Sequence, residues 1–297
     1  MKMLYHFFRN VFCGSLALLL IASGRVRRAK YKALHEMAVT AIYFHNPNKS
    51  LFARCLAWLS KNGYTFISDT DLIQILRHGR KPPQGAVWLS FDDGFKELLE
   101  NVVPLSYSRK IPITIFVPSG IVAGRGLFPW LQHLNQDARQ SITRADVTRI
   151  SSFPGVSIGS HTVRHSLTTN LSEEETRLEL ADSKRDLESW SGRAVTSFAY
   201  PEGRISGREG RLLQECGYEM AATTEATLVT PDTDPFLVPR FHVGDNISLP
   251  EAICNMAGVW RPAIDPPLRV WRGCTGFLKS SRRAWNGRSP LRSEKSA

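Results

Sequence analysis

The sequence predicts a closed barrel of alternating β-strands and α-helices, and three observations carry that expectation. Short apolar or β-branched runs alternate with amphipathic stretches seven or eight times between residues 41 and 265. Strands separated by helices pair in parallel through crossover helices. His45, Asp92, Asp93, Ser119, His161, Tyr200 and His242 all fall at or just past the C-terminal ends of those runs. That end of a (β/α) barrel is where its loops build sites, and randomly placed polar residues would not sort to it. Finally, 297 residues with 42% hydrophobic side chains suffice for one large α/β core, and no fixed-period repeat suggests another architecture.

The elements follow in order. Thr40–Phe44 reads as a strand ending at His45-Asn-Pro-Asn48. Leu51–Asn62 places Leu51, Phe52, Cys55, Leu56 and Leu59 on one helical stripe, closed by Gly63. Tyr64–Ile67 is a short strand, and Ser68 caps a helix over Asp69–His78 that Gly79 stops. After Pro82-Pro83, the run Ala86-Val-Trp-Leu-Ser-Phe-Asp-Asp-Gly94 is a buried strand ending in two carboxylates. Phe95–Leu105 is helical in pattern, with Pro104 near its end. Ile111–Val117 is a β-branched strand. Residues 120–135, rich in glycine and aromatics, read as a loop over one face, and Thr143–Ile150 as a short helix. Val156–Ser160 is a strand leading into His161 and His165. Ser172-Glu-Glu-Glu175 is a capping box opening a helix that runs to about Trp190. A strand at Thr196–Ala199, a helix at Glu209–Cys216, and strands at Tyr218–Thr223 and Val238–Val243 complete the barrel.

The net charge of +11 sits at the ends. Residues 1–40 carry +6 and residues 266–297 carry +7, leaving the central body at −2. A nucleic-acid enzyme would carry positive charge around its cleft, so nucleic acid is excluded as the partner. Basic ends suit an anionic membrane surface, or are solvated tails. Near the N-terminus, Val11–Ser23 is apolar but short for a membrane-spanning helix, which needs roughly 20 residues. Arg25-Val-Arg-Arg-Ala-Lys-Tyr-Lys32 follows with five positive charges and no convincing cleavage site precedes it. An interfacial or re-entrant anchor is the expectation, with an uncleaved signal anchor or a helix packed on the body as alternatives. The five cysteines, Cys13, Cys55, Cys216, Cys254 and Cys274, form no CxxC, and their odd number argues against a disulfide framework.

The chemistry lies in two motifs that complete each other. Asp-Asp-Gly alone is also a turn with solvated carboxylates, and HxxxH alone is weak. Together they offer the three ligands a zinc-type site uses, plus a spare carboxylate. His161 and His165 share a face if the chain turns helically there. One aspartate then completes the metal site and its neighbour serves as general base, with Gly94 allowing the sharp turn. Zinc is the expected ion, with Co²⁺, Ni²⁺ or Mn²⁺ as alternatives. Such a site suits hydrolysis of an amide or ester. Paired aspartates also serve nucleotide-sugar transferases, but that reading leaves His161 and His165 unexplained.

Ser90-Phe-Asp-Asp-Gly94, Ser160-His-Thr-Val-Arg-His165 and Phe198-Ala-Tyr-Pro-Glu-Gly203 resemble the motifs of the polysaccharide deacetylases, the NodB-homology family or carbohydrate esterase family 4. The resemblance runs over roughly residues 41–250. Tyr43-Phe-His45 and Val238-Pro-Arg-Phe241 are similar to the branch containing poly-N-acetylglucosamine deacetylases. The resemblance implies a distorted (β/α)7-type barrel of the glycoside hydrolase/deacetylase superfamily, spanning 41–260. A basic, membrane-associating segment (1–40) and a basic tail (261–297) flank it. By motif position it makes Asp92 the base and Asp93, His161 and His165 the metal ligands. The Tyr200-Pro201 segment then lines the acyl pocket and offers a backbone N–H to the oxyanion. Well-known members carry an arginine before that proline. Phe198-Ala-Tyr stands here, and Arg240 is the candidate replacement. A strict late Leu-x-His motif is missing, and His242 is the candidate acid. His45, Arg240 and Trp130 join Tyr200 and Pro201 as candidate substrate-binding residues, and Trp130 and Phe128 are candidates to stack on a sugar.

The expected reaction is removal of an N-acetyl or other short acyl group from an amino sugar of a cell-envelope polysaccharide or lipid-linked glycan. A deformylase of a lipid-linked sugar and an inactive carbohydrate-binding barrel are the alternatives. The basic ends favour association with the cytoplasmic face of a membrane over a secreted or periplasmic location.

Overall fold

The computed structural model describes residues 2–128 and 140–264. Trp130, Cys274, the end of the aromatic-rich stretch and all but the first residues of the basic C-terminal tail lie outside them.

Two helices open the chain, α1 (Lys2–Ala22) and α2 (Arg25–His35), joined at Gly24, whose left-handed φ of 77° turns the backbone. The barrel starts with β1 (Val39–Phe44), followed by α3 (Lys49–Lys61), β2 (Thr65–Ile67) and α4 (Asp69–His78). Asn48 caps α3, and Ser68 caps α4 in a reciprocal box with Asp71, while Gly79 ends α4 at φ 66°. Next come β3 (Ala86–Phe91), α5 (Leu98–Asn101) and α6 (Val103–Ser108). The single helix predicted from Phe95 to Leu105 is therefore two. Pro104 has no N–H to continue the ladder and sits in the first turn of α6. The chain continues through β4 (Ile113–Val117), α7 (Ser119–Val122), α8 (Arg144–Ser151), β5 (Val156–Ser160) and α9 (Glu173–Ser191). The predicted Ser172–Glu175 capping box opens α9, and Gly192 closes it. The last elements are β6 (Ser197–Ala199), α10 (Glu209–Glu215), β7 (Met220–Ala222), β8 (Phe241–His242) and α11 (Leu249–Met256). β7 and β8 are shorter than the sequence pattern predicts.

The named strands pair in parallel, in the order β7-β6-β5-β4-β3-β1-β8. Val238, just before β8, bridges Ala222 of β7 in parallel. Val238 N–H donates to Ala221 O (2.9 Å) and Thr223 N–H to Val238 O (2.8 Å). The path thus returns to its start and seven strands close into a barrel. β2 lies off the ring, paired to Ala86–Trp88 of β3, while β4 pairs with Ser90 and Phe91 further along.

Strand periodicity sorts the core. Ala41, Trp88, Phe116, Met220 and Val238 belong to an inner cluster. Ile42, Phe44, Val87, Leu89 and Phe91 belong to the larger cluster beneath the helices, with Phe52 of α3 edge-on to Phe44 and Phe91. Trp88 Nε1–H donates to Thr114 Oγ1 at 3.0 Å, so its polar atom is satisfied inside the barrel. The inward column of β3 therefore runs Trp88, Ser90, Asp92, apolar at one end and acidic at the other.

Candidate active site

Asp92 and Asp93 follow β3 directly. Asp92 N–H still donates to Phe44 O (2.9 Å), extending the ladder, whereas Asp93 takes φ 71° and Gly94 φ 61°. An aspartate in this left-handed region is uncommon and is held there by its surroundings. The change of conformation between the two residues separates their tasks.

Asp92 is 3% exposed and held in a fork: Arg240 Nη1–H donates to Oδ1 (2.8 Å) and Nη2–H to Oδ2 (2.9 Å). Arg240 is itself fully buried. It donates further to Ser90 Oγ and Thr223 O, both at 3.0 Å, and lies over the rings of Tyr43 and Phe116 at 4.3 and 5.5 Å. Burial pushes the Asp92 carboxyl up, but the Arg240 guanidinium outweighs it and the pKa falls to about 2. Arg240 was expected among the substrate-binding residues. Its burial places it behind Asp92 instead, in the part left open by the missing arginine of Phe198-Ala-Tyr200.

Asp93 faces the histidines. Its Oδ1 lies 3.3 Å from His165 Nε2 and 3.7 Å from His161 Nε2. One ligand atom from each of the three residues lies within 4.8 Å of the others, and all three are buried. Asp93 Oδ1 is buried with no hydrogen-bond partner. His161 Nδ1 lies 2.7 Å from Ala199 O, which fixes the proton on Nδ1 and leaves the Nε2 lone pair toward Asp93. Burial, then the neighbouring His165, lowers the His161 pKa to about 4, so the ring is neutral at neutral pH. An orphaned carboxylate oxygen beside a neutral imidazole nitrogen fits a divalent ion.

The turn between the histidines is not helical, contrary to expectation. Thr162 and His165 take φ 64° and 57°. Glu179 of α9, 2% exposed, braces the turn: its carboxylate accepts from Val163 N–H (2.8 Å), Arg164 N–H (3.0 Å) and Arg164 Nε–H (2.8 Å). Gly120 N–H donates to Val163 O (2.8 Å). A Cβ on Gly120 would come within 2.7 Å of Val163 Cγ1 and 2.8 Å of its carbonyl oxygen. Sequence reasoning missed both residues. Glu179 reads as one more acid on a charged helix, and Gly120 as a loop glycine.

A cavity of about 540 Å³ opens over these groups, walled by Tyr43, His45, Tyr200 and His242. The rings of His45 and His242 meet edge to face at 5.3 Å, and Tyr43 lies 4.9 Å from His242. Desolvation against these rings, then His45, lowers the His242 pKa, although the side chain keeps an open edge at the mouth. Tyr200 is buried, its hydroxyl donating to Phe236 O (3.1 Å). Its N–H donates to Ala222 O (3.0 Å), so the expected oxyanion donor is not Tyr200's own. Pro201 is buried at the start of a single 3₁₀ turn in which Glu202 takes φ 55°. Glu202, Thr224, Asp245 and Arg261 also line the cavity and were not foreseen. For Glu202, Thr224 and Asp245 the one signal was position just after a strand, and Arg261, in a helical stretch beyond α11, gave none. Besides Arg240, three predicted residues fall away from the cavity wall: Pro201 is buried, Ser119 donates to Asp186 of α9 (3.1 Å), and Phe128 is buried against Phe95.

Residues 79–221 match the family described as polysaccharide deacetylase. A Bacillus subtilis (strain 168) relative, YxkH, provisionally assigned as a polysaccharide deacetylase, is 24% identical over 200 residues, 67% of this chain and 66% of that one. A poly-β-1,6-N-acetyl-D-glucosamine N-deacetylase of Staphylococcus aureus (strain MRSA252) is 23% identical over 234 residues, 75% of this chain and 77% of that one. Among solved structures, IcaB from Ammonifex degensii superposes with a TM-score of 0.62 at 20% identity, covering 75% of this chain and 98% of that one.

Proposed function

Because this chain carries a polysaccharide deacetylase domain of the NodB-homology type, and so is a hydrolase of carbon–nitrogen bonds, we propose that it removes N-acetyl groups from an amino sugar within a glycan. The S. aureus relative suggests β-1,6-linked N-acetylglucosamine as the first substrate to test. The observation that carries the reading is the pair of neighbouring aspartates with opposite fates. Asp93 joins His161 and His165, and Asp92 is locked to Arg240.

Asp93, His161 and His165 would hold a divalent ion, zinc first among the candidates. When bound, such an ion polarises the amide carbonyl and acidifies water. The chain's own groups do the rest. Asp92 stays ionised across the working pH range and Arg240 fixes its direction. A carboxylate with a pKa near 2 is a weak base. It therefore accepts a hydrogen bond from the attacking water and takes the proton as the new C–O bond makes that water more acidic. The proton taken from water is returned to the leaving nitrogen, and His242 on the cavity wall, neutral in the free protein because its pKa is lowered, is the group that would carry it there. Tyr200 shapes the space for the acetyl methyl group, and His45 contacts the sugar.

The test is acetate release from β-1,6-linked N-acetylglucosamine oligosaccharides, before and after chelator and after Zn²⁺ is restored. Release that stops with chelator and returns with Zn²⁺ is expected. Metal-loaded protein that releases no acetate from this or any other N-acetylated glycan would overturn the reading.

A further inference from the structure

The two N-terminal helices carry a surface that the barrel does not cover. One side of α1 is fastened to the body. Ala17 and Leu20 are buried, Cys254 of α11 donates to Ala17 O (3.5 Å), and Arg9 forks onto Glu251 of α11 at 2.6 and 3.2 Å. The other side is apolar and open: Val11, Phe12, Leu18 and Leu19 are 53, 70, 57 and 67% exposed. Their spacing of i, i+1, i+7 and i+8 puts them on one stripe. Past Gly24 the chain bends by 63° into α2. There Val26 and Ala33 face inward, while Arg25, Arg27, Arg28 and Lys32 are exposed.

We infer that α1 and α2 dock this protein on an anionic lipid surface, with the α1 stripe at the acyl boundary and the α2 cations among the headgroups. An apolar stripe continued by a cationic face is the pattern of an interfacial helix pair. A second copy would answer the stripe but bring its own basic α2, and a net charge of +11, against the first. A span across the bilayer is disfavoured by the same contacts. Pulling α1 away would strand Glu251, whose side chain is 2% exposed, without its cation. Among the described residues no single helix is long and apolar enough to cross, and the pair that passes on length and composition is the one bent by 63°.

Docking also bears on access to the site. A second cavity of about 230 Å³ shares Tyr43, His242, Gly244 and Arg261 with the active-site cavity and is bounded by Arg9 of α1. On the deacetylase reading, the cleft runs to the docked helix and takes glycans held close to the membrane. Docking itself does not depend on that reading.

Flotation of the purified full chain with phosphatidylcholine vesicles, with or without phosphatidylglycerol, tests the proposal at low and high salt. The chain is expected to float with the anionic vesicles and to be released by salt. Phe12→Ser/Leu19→Ser weakens binding by at least about tenfold. Arg25→Gln/Arg27→Gln/Arg28→Gln weakens it by roughly a hundredfold, and only on anionic vesicles. These side chains are exposed, so an unchanged melting temperature serves as the folding control. If the first pair folds poorly, Leu18→Gln/Leu19→Gln is read in the same way. The proposal is overturned if the wild-type chain stays unbound, if the stripe variants float as it does, or if the stripe variants instead dissolve a dimer seen by light scattering.

Discussion

Asp92 and Asp93 are identical side chains one bond apart in the chain, and the backbone gives them opposite surroundings. Asp92 keeps extended geometry and meets a guanidinium inside the barrel, while Asp93 turns left-handed and meets two imidazoles. Arg240 is therefore a positioning residue, and its removal has a signed pH effect. With Arg240 present, the Asp92 pKa is depressed to about 2, below the unfolded value of about 3.9. Its stabilising contribution is present above that unfolded value and fades as pH falls through 2. In Arg240→Met, burial is opposed only by the nearby His161 and His45 rings, and the pKa rises. The variant should lose about 3–5 kcal/mol at neutral pH and recover part of it on acidification, as the stranded carboxylate protonates. Urea unfolding across pH measures this. The acid limb of acetate release should also move to higher pH, and Arg240→Lys should restore part of both effects.

At the scale of elements, strand ends supply the reacting groups and helices hold the loops that aim them. The HxxxH turn is shaped by α9 through Glu179 and by Gly120 at the start of α7. Gly120→Val should push Val163 outward and lower metal affinity by about 10–100-fold, the range for lost outer-shell support. The barrel should still unfold cooperatively, as metal titration beside a thermal melt would show. The apolar runs around Trp88 and Ile115 announce strands because the code is local, and Ser68 and Ser172 announce helix starts for the same reason. Asp92, Asp93 and His161 were legible because they follow strand ends directly, and His165 because it completes the HxxxH spacing. Glu179 lies 14 positions beyond His165, and its contact is made by the tertiary fold alone. Arg240 was legible as a replacement but not as a buried one, because burial of a guanidinium depends on the carbonyl and rings that the closed barrel supplies.

For the whole molecule, the ring is completed late, by Val238 on β7 and by β8 on β1, so residues from distant parts of the chain surround one cavity. An ion held between Asp93, His161 and His165 would tie the end of β3 to the end of β5. Metal binding should therefore raise global stability. At a free Zn²⁺ concentration about 100-fold above Kd, the gain is about 2.7 kcal/mol, worth several degrees in Tm. Differential scanning calorimetry of chelator-treated protein with and without Zn²⁺ should show it, and Asp93→Asn should abolish the shift.

The central claim is the division of labour between the two aspartates, and Asp92→Asn tests it most directly. Acetate release and bound metal are measured on the same metal-loaded preparation. Release should fall by about 10²–10⁴-fold with metal content unchanged. A metal-loaded Asp92→Asn protein that releases acetate at the wild-type rate would contradict the account.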